Sequence, residues 1–144
     1  MQSDQLNPNE GEGLEIMNIL KQYFMKETNS QRQTEQLLAN LASALQEPGV
    51  KLVHLGRTVF LVIVRGKGMV EVHTMSVDDD SVSLSKSFNQ LAKYLKNIGV
   101  KLAYTFSNDP KYELIAKRTR LPFKQRSVQA SDGQEYMAYY LEFQ

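Results

Sequence analysis

The chain has 144 residues, 42% hydrophobic and 23% charged, with a formal net charge of +1. This is one domain's worth of chain with enough apolar residues for a core, in the ordinary balance of a globular protein. Near-neutrality excludes a surface tuned throughout to nucleic acid or acidic membrane, and the lack of cysteine excludes disulfides, thiolate nucleophiles and thiolate metal sites.

Met1 to Glu12 is polar and contains Pro8 and Gly11, so a loose tail is expected, with the folded domain spanning residues 13–144. It has neither the basic start nor the apolar stretch of a secretory signal, and no later run approaches the roughly 20 apolar residues that span a bilayer. An intracellular protein is expected, or one made inside a cell and then assembled. The tail is expected to dock on a protein partner or a neighbouring subunit, giving self-association.

Leu14, Met17, Leu20 and Phe24 recur at helical spacing and mark a first helix. A second begins at Ser30, where Ser30-x-x-Gln33 has the form of a capping box. Leu37, Leu38, Leu41 and Leu45 line one side of it, and Pro48-Gly49 ends it. Val50 to Leu55 reads as a short strand. Thr58 to Arg65 and Gly68 to Val77 read as a hairpin turned at Gly66-Lys67. Phe60 to Val64 is apolar without alternation, as expected of a strand covered on both faces.

The stretch from Val70 to Phe106 organises the rest. The strand VEVHTMSV runs into Asp78-Asp79-Asp80 and a serine-rich turn reaching Ser87. A helix follows, with Phe88, Leu91, Leu95 and Ile98 on one face and Gly99 where a left-handed residue would stop it. The strand VKLAYTF closes the unit. A strand–helix–strand of this length predicts a right-handed crossover between parallel strands, with a ligand outside their carboxyl ends. Asn108-Asp109-Pro110 then offers a cap and a first-turn proline for a short helix to about Arg120, stopped by Pro122. Phe123 to Val128 and Gln134 to Phe143 make a last hairpin turned at Asp132-Gly133. No repeat or linker divides the chain.

This order resembles the fold of the GNAT N-acetyltransferases without their usual first strand. The likeness covers Leu14 to Phe143 and rests on architecture, with VEVHTMSV and IGVKLAYTF as the best local matches. Asn108 opens the short helix, and Leu121-Pro122-Phe123 stands where the family commonly has leucine-glycine-phenylalanine. The resemblance implies an α/β fold with a mixed sheet of about six strands and helices on both faces. It implies that the two central strands splay apart around the pantetheine arm of acetyl-CoA. The turn after the first of them would hold the pyrophosphate on backbone N–H groups at a helix N-terminus. Cofactor contacts would then come from Met75, Ser76 and Val77, whose backbone would position the acetyl carbonyl, from Ser83, Ser85, Lys86 and Ser87, and from Asn108. The family's turn reads Gln/Arg-x-x-Gly-x-Gly/Ala, and residues 81–87 here contain no glycine. The β-carbons crowd a phosphate, and Asp78 to Asp80 add negative charge beside it. Five residues before Phe123, where a general-acid tyrosine is common in the family, stands Arg118.

Residues that can carry proton transfer are Glu71 and His73, on one strand face by two-residue alternation, with Tyr112 or Tyr104 as the acid. Lys111, Lys117, Arg118, Arg120, Lys124 and Arg126 face one carboxylate, Glu113, within sixteen residues and form a candidate anion patch for cofactor phosphates, nucleic acid or an acidic protein. Tyr139 and Tyr140 read as one inward and one outward strand residue. His54 and His73 are the only histidines and lack metal-site spacing, and no Gly-x-Ser-x-Gly elbow occurs.

Two functions are therefore expected as alternatives. The first is a GNAT-like domain with a degraded acetyl-CoA site and no required cofactor, acting as a binding or assembly component. Small proteins of this kind occur among phage proteins, including internal virion proteins, and the missing glycines and polar tail suit that group. The second is an acetyl-CoA-dependent N-acetyltransferase with a divergent pyrophosphate loop. Nucleic-acid binding through the basic patch is a third, weaker expectation, because the rest of the chain is balanced in charge.

Overall fold

The computed structural model describes residues 6–78 and 80–144. Residues 1–5 of the expected tail, and Asp79, lie outside the described residues. In order, the elements are α1 (Leu6–Thr28), α2 (Gln31–Ala44), β1 (Val50–Leu55), β2 (Thr58–Gly66), β3 (Met69–Ser76), α3 (Ser81–Asn97), β4 (Leu102–Ser107), α4 (Lys111–Thr119), β5 (Lys124–Gln129) and β6 (Glu135–Glu142). The strands form one mixed sheet in the order β1-β2-β3-β4-β6-β5, in which only β3 and β4 run parallel.

Helix α1 begins at Leu6, so residues 6–12 of the stretch expected to be a tail are helical. Pro8 falls in the first turn, where a missing N–H breaks no helical bond. Glu12 and Glu15 lie 3.4 and 3.7 Å from His54 at the end of β1, which ties this part of the helix to its own sheet. The helix stops at Asn29, a left-handed residue with φ 52° whose amide bonds back to Met25 at 2.8 Å. Ser30 then caps α2 by accepting from the Gln33 amide at 3.2 Å. The other half of the expected box is made by Thr28 instead, whose Oγ1 accepts from the Ser30 amide at 3.2 Å.

Strand β2 alternates between two apolar layers, which is why its sequence shows no alternation of polarity. Val59 packs with Ile19, Leu20 and Leu41 of α1 and α2, while Phe60 and Val62 pack with Leu84, Phe88, Leu91 and Leu95 of α3 and Ile115 of α4. The sheet is thus covered on both faces. The hairpin between β2 and β3 turns at Lys67-Gly68, not at Gly66-Lys67. Gly66 pairs with Met69 after a bulge between Val64 and Gly66, and Gly68 supplies the positive φ of 74°.

The larger correction concerns α3. It starts at Ser81, so the stretch expected to be a turn is two turns of helix. Asp80 caps it, accepting from the Ser83 amide at 2.7 Å, and Leu84 extends the apolar face one turn ahead of Phe88. Burial of that face outweighs the weak helix propensity of serine. At the far end Gly99 has φ 92°, its amide bonds to Lys96 at 3.1 Å, and the Val100 amide reaches Leu95 at 3.0 Å. This paired arrangement satisfies the helix's last carbonyls and turns the chain into β4. Among the described residues, no helix is long and apolar enough to cross a membrane.

Candidate functional site

The parallel pair at the sheet centre holds for three rungs only: Met69 with Leu102, Val70 with Ala103, and Glu71 with Tyr104. Beyond them β3 stays paired to β2 as far as Ser76, and β4 stays paired to β6 as far as Ser107. The two strands therefore part, and a cavity of about 730 Å³ opens between their carboxyl ends. Thr74 and Ser76 wall it from β3, Ser107 to Asp109 from β4, Tyr112 from α4, and Tyr23 and Glu27 from α1. The Val77 amide bonds to Arg57 across the hairpin at 3.2 Å. By alternation the amides of Thr74 and Ser76 are the ones turned toward the cavity.

Glu71 and His73 share a strand face and are in direct contact, and Arg65 Nε donates to Glu71 at 2.8 Å. Tyr104 stands opposite Glu71 at the last rung, where the strands begin to separate. The Glu71 side chain is only 14% exposed. Burial pushes its carboxyl up, but hydrogen bonds from Arg65 and His73 and their charge outweigh this and hold it below the ordinary value. Burial, then the Glu71 charge, raises the Tyr104 phenol.

Tyr112 is on the other side of the cleft, its ring packed 6.0 Å from Phe88 and 6.1 Å from Tyr139. Burial raises its phenol, with the Thr74 hydroxyl opposing. Tyr23 reaches the same cavity from α1, its phenol pushed far up by burial and then by the Glu27 charge. Neither Tyr23 nor Glu27 is distinguished in the sequence from other residues of an amphipathic helix. Tyr139 is buried in the layer beneath α3 and α4, and its neighbour Tyr140 is half-buried.

The residues expected to hold a cofactor are dispersed. Met75 is buried beside α1 and α2. Ser76 Oγ lies 2.6 Å from Thr58 Oγ1 and accepts from the Asp78 amide at 3.0 Å, fastening the strand end. Ser83 Oγ donates to Asp80 at 3.1 Å. Ser85 and Ser87 are buried, their hydroxyls given to the carbonyls of Ser81 and Leu55. Lys86 projects away into a different cavity. At α4, Asp109 accepts from the Lys111 amide at 2.9 Å, so both helix starts beside the cleft carry their own carboxylate. Asn108, also expected to touch the cofactor, is the one member of that set besides Met75 and Ser76 that lines the cleft. Glu27, Asp78 and Asp109 line the cleft with Lys111, and Asp78 and Asp109 are paired with Arg57 and Lys111.

The basic run from Lys111 to Arg126 also divides. Lys111 sits 3.9 Å from Asp109 at the cleft. Lys117, Arg118 and Arg120 converge with Lys86 around a cavity of about 600 Å³ between α3 and α4. Lys124 pairs with Glu142 on the outer strands, and Arg126, two residues along β5, shares that sheet face.

No protein family's sequence profile matches the chain, and no curated protein sequence matches it. Solved structures do. An aminoglycoside 6′-acetyltransferase type Ii is 11% identical over 89% of this chain and 87% of that one, with a TM-score of 0.61. A spermidine N-acetyltransferase mutant from Vibrio cholerae is 10% identical over 76% and 75%, with a TM-score of 0.59. An acetyltransferase from Bacillus subtilis, solved in complex with CoA, is 9% identical over 87% and 91%, with a TM-score of 0.56. An acetyltransferase of the GNAT family from Desulfovibrio desulfuricans is 10% identical over 86% and 90%, with a TM-score of 0.60, and the chain has a GNAT-like fold.

Proposed function

We propose that this GNAT-like domain is a non-catalytic binding or assembly component with no required cofactor, such as a part of a phage virion, and otherwise a cytoplasmic protein. One observation carries the reading. The carboxylate of Asp80 accepts from the Ser83 amide at 2.7 Å, so the start of α3 is already occupied by an anion of the chain itself. The hydrogen bonds to Ser83 hold that carboxyl below its ordinary value, so it is ionised at neutral pH. A pyrophosphate at this helix start would meet that charge, and the buried hydroxyls of Ser85 and Ser87 would not reach it. The start of α3 does not fit the pyrophosphate of acetyl-CoA. Titration calorimetry with acetyl-CoA at millimolar concentration tests this: no heat of binding is expected, and a saturable isotherm overturns the reading. The assembly contact is assigned to the N-terminal stretch, and removing residues 1–11, which spares Glu12, is expected to reduce the apparent mass on a sizing column.

The parting of β3 and β4 favours a second reading, acetyl-CoA-dependent N-acetyl transfer. In it Glu71 or His73 would take the proton of an acceptor amine through water, and Tyr112 or Tyr104 would donate one to the leaving thiolate. Release of free thiol on adding acetyl-CoA and an amine, lost in Glu71→Gln, would establish it.

A further inference from the structure

We infer that the cavity between α3 and the end of α4 is a docking surface for the phosphate backbone of a single-stranded nucleic acid. Lys86, Lys117, Arg118 and Arg120 line it together with Asn89 and Ser85. Among the described residues none of these four cations has an ion-pair partner within 4 Å. The Asp80 carboxyl feels the Arg118 charge but is committed to the Ser83 amide. Glu113, the one acid of α4, acts on Tyr139 and does not line this cavity.

Two features separate this cluster from a solvated helix face. Lys117 and Arg118 lie in the last turn of α4, where cations suit the helix dipole, but Lys86 does not share that explanation. It sits in the second turn of α3, on that helix's positive half, and faces three further cations. Arg120 is held at φ 60°, a left-handed conformation in which glycine or asparagine is the unstrained choice. The chain keeps an arginine there and directs it to the same cavity. Like charges gathered at a conformational cost need an anion to offset them. The exposed Val82 beside them adds an apolar contact suited to a sugar or base edge.

This surface lies outside the parted-strand cleft and does not depend on the non-catalytic reading. The probe is a fluorescently labelled oligothymidylate followed by anisotropy. Four neutralised phosphates on a single strand give a log–log salt slope of about −2.8, so affinity is expected to fall roughly 50-fold between about 50 and 200 mM salt. Arg120→Gly removes one cation and its backbone strain together. It is expected to weaken binding and flatten the slope by about 0.7 without lowering the melting temperature. Lys86→Ala is expected to do the same to binding, while the Lys124→Ala/Arg126→Ala pair leaves it unchanged. No binding at low salt, a slope indifferent to Arg120→Gly, or equal competition by an oligoglutamate would overturn the inference. Acetyl-CoA binding that is lost in Lys86→Ala would overturn it too, by returning the cavity to a cofactor. Calorimetric silence with acetyl-CoA alongside a failed oligonucleotide titration would sink this surface alone.

Discussion

Replacing Thr74 by valine tests the interior of the cleft wall most directly. Thr74 pairs with the fully buried Phe60 across the β2–β3 ladder, and its Oγ1 is sealed from solvent with no hydrogen-bond partner. A buried hydroxyl left unsatisfied costs on the order of 1–3 kcal/mol relative to its hydrated state in the unfolded chain. Valine keeps the β-branched shape and strand preference and removes the unpaired group, so a gain of about 1 kcal/mol is expected at the low end of that range. For a chain of this size that corresponds to roughly 2–4 °C in melting temperature. Urea denaturation should show the midpoint moving up with an unchanged slope. The Thr74 hydroxyl is near enough to the Tyr112 phenol to oppose its rise, but no hydrogen bond within 3.5 Å joins the two. A double-mutant cycle with Tyr112→Phe should therefore give a coupling energy near zero. Destabilisation of about 1 kcal/mol by Thr74→Val, or strong coupling to Tyr112→Phe, would refute the reasoning by revealing a hydrogen bond between the two hydroxyls.

Two further outcomes follow from the same structure. Because Arg65 and His73 hold the folded Glu71 carboxyl below its ordinary 4.5, Glu71 contributes stability that is present above that value and lost as pH falls through the lower folded one. Equilibrium unfolding of Glu71→Gln should be less pH-dependent across that acid window than unfolding of the natural chain, and an identical dependence would remove Glu71 as its source. Gly99→Ala meets no atom within 4 Å, so its cost is conformational only, about 1–2 kcal/mol for a left-handed alanine. Calorimetric melting checks it, and a loss well beyond that range would mean that packing at the α3 terminus had been misjudged.

Much of the local structure was legible along the chain. Ser30, Gly99 and the Asp132-Gly133 turn mark ends whose chemistry lies within a few residues, and β1 has the bounds its apolar run suggests. The start of α3 differs from expectation because serine favours turns and the apolar pattern that makes residues 81–87 helical is short. Asp80-x-x-Ser83 and Leu84 carried the missing signal. The hairpin turn lies one residue from its expected place because Gly66 and Gly68 flank Lys67 symmetrically, and only the bulge between Val64 and Gly66 chooses between them. At the site, two-residue alternation placed Glu71 and His73 together. The partnership of Glu71 with Tyr104 needed the parallel register, and the arrival of Tyr23 and Glu27 needed the packing of α1.

By itself, then, the sequence determined the order of elements, several of their ends, and the mixed α/β class, because those depend on spacings of two to five residues and on backbone freedom at single positions. Only the tertiary structure decided that β3 and β4 part after three rungs and that the basic run divides between two faces of the molecule. It also decided that Lys86 joins cations thirty residues away along the chain, rather than the cleft beside its own helix start. These outcomes turn on which surfaces meet across the sheet, and the free energy of that meeting is shared among residues too far apart for any local pattern to record.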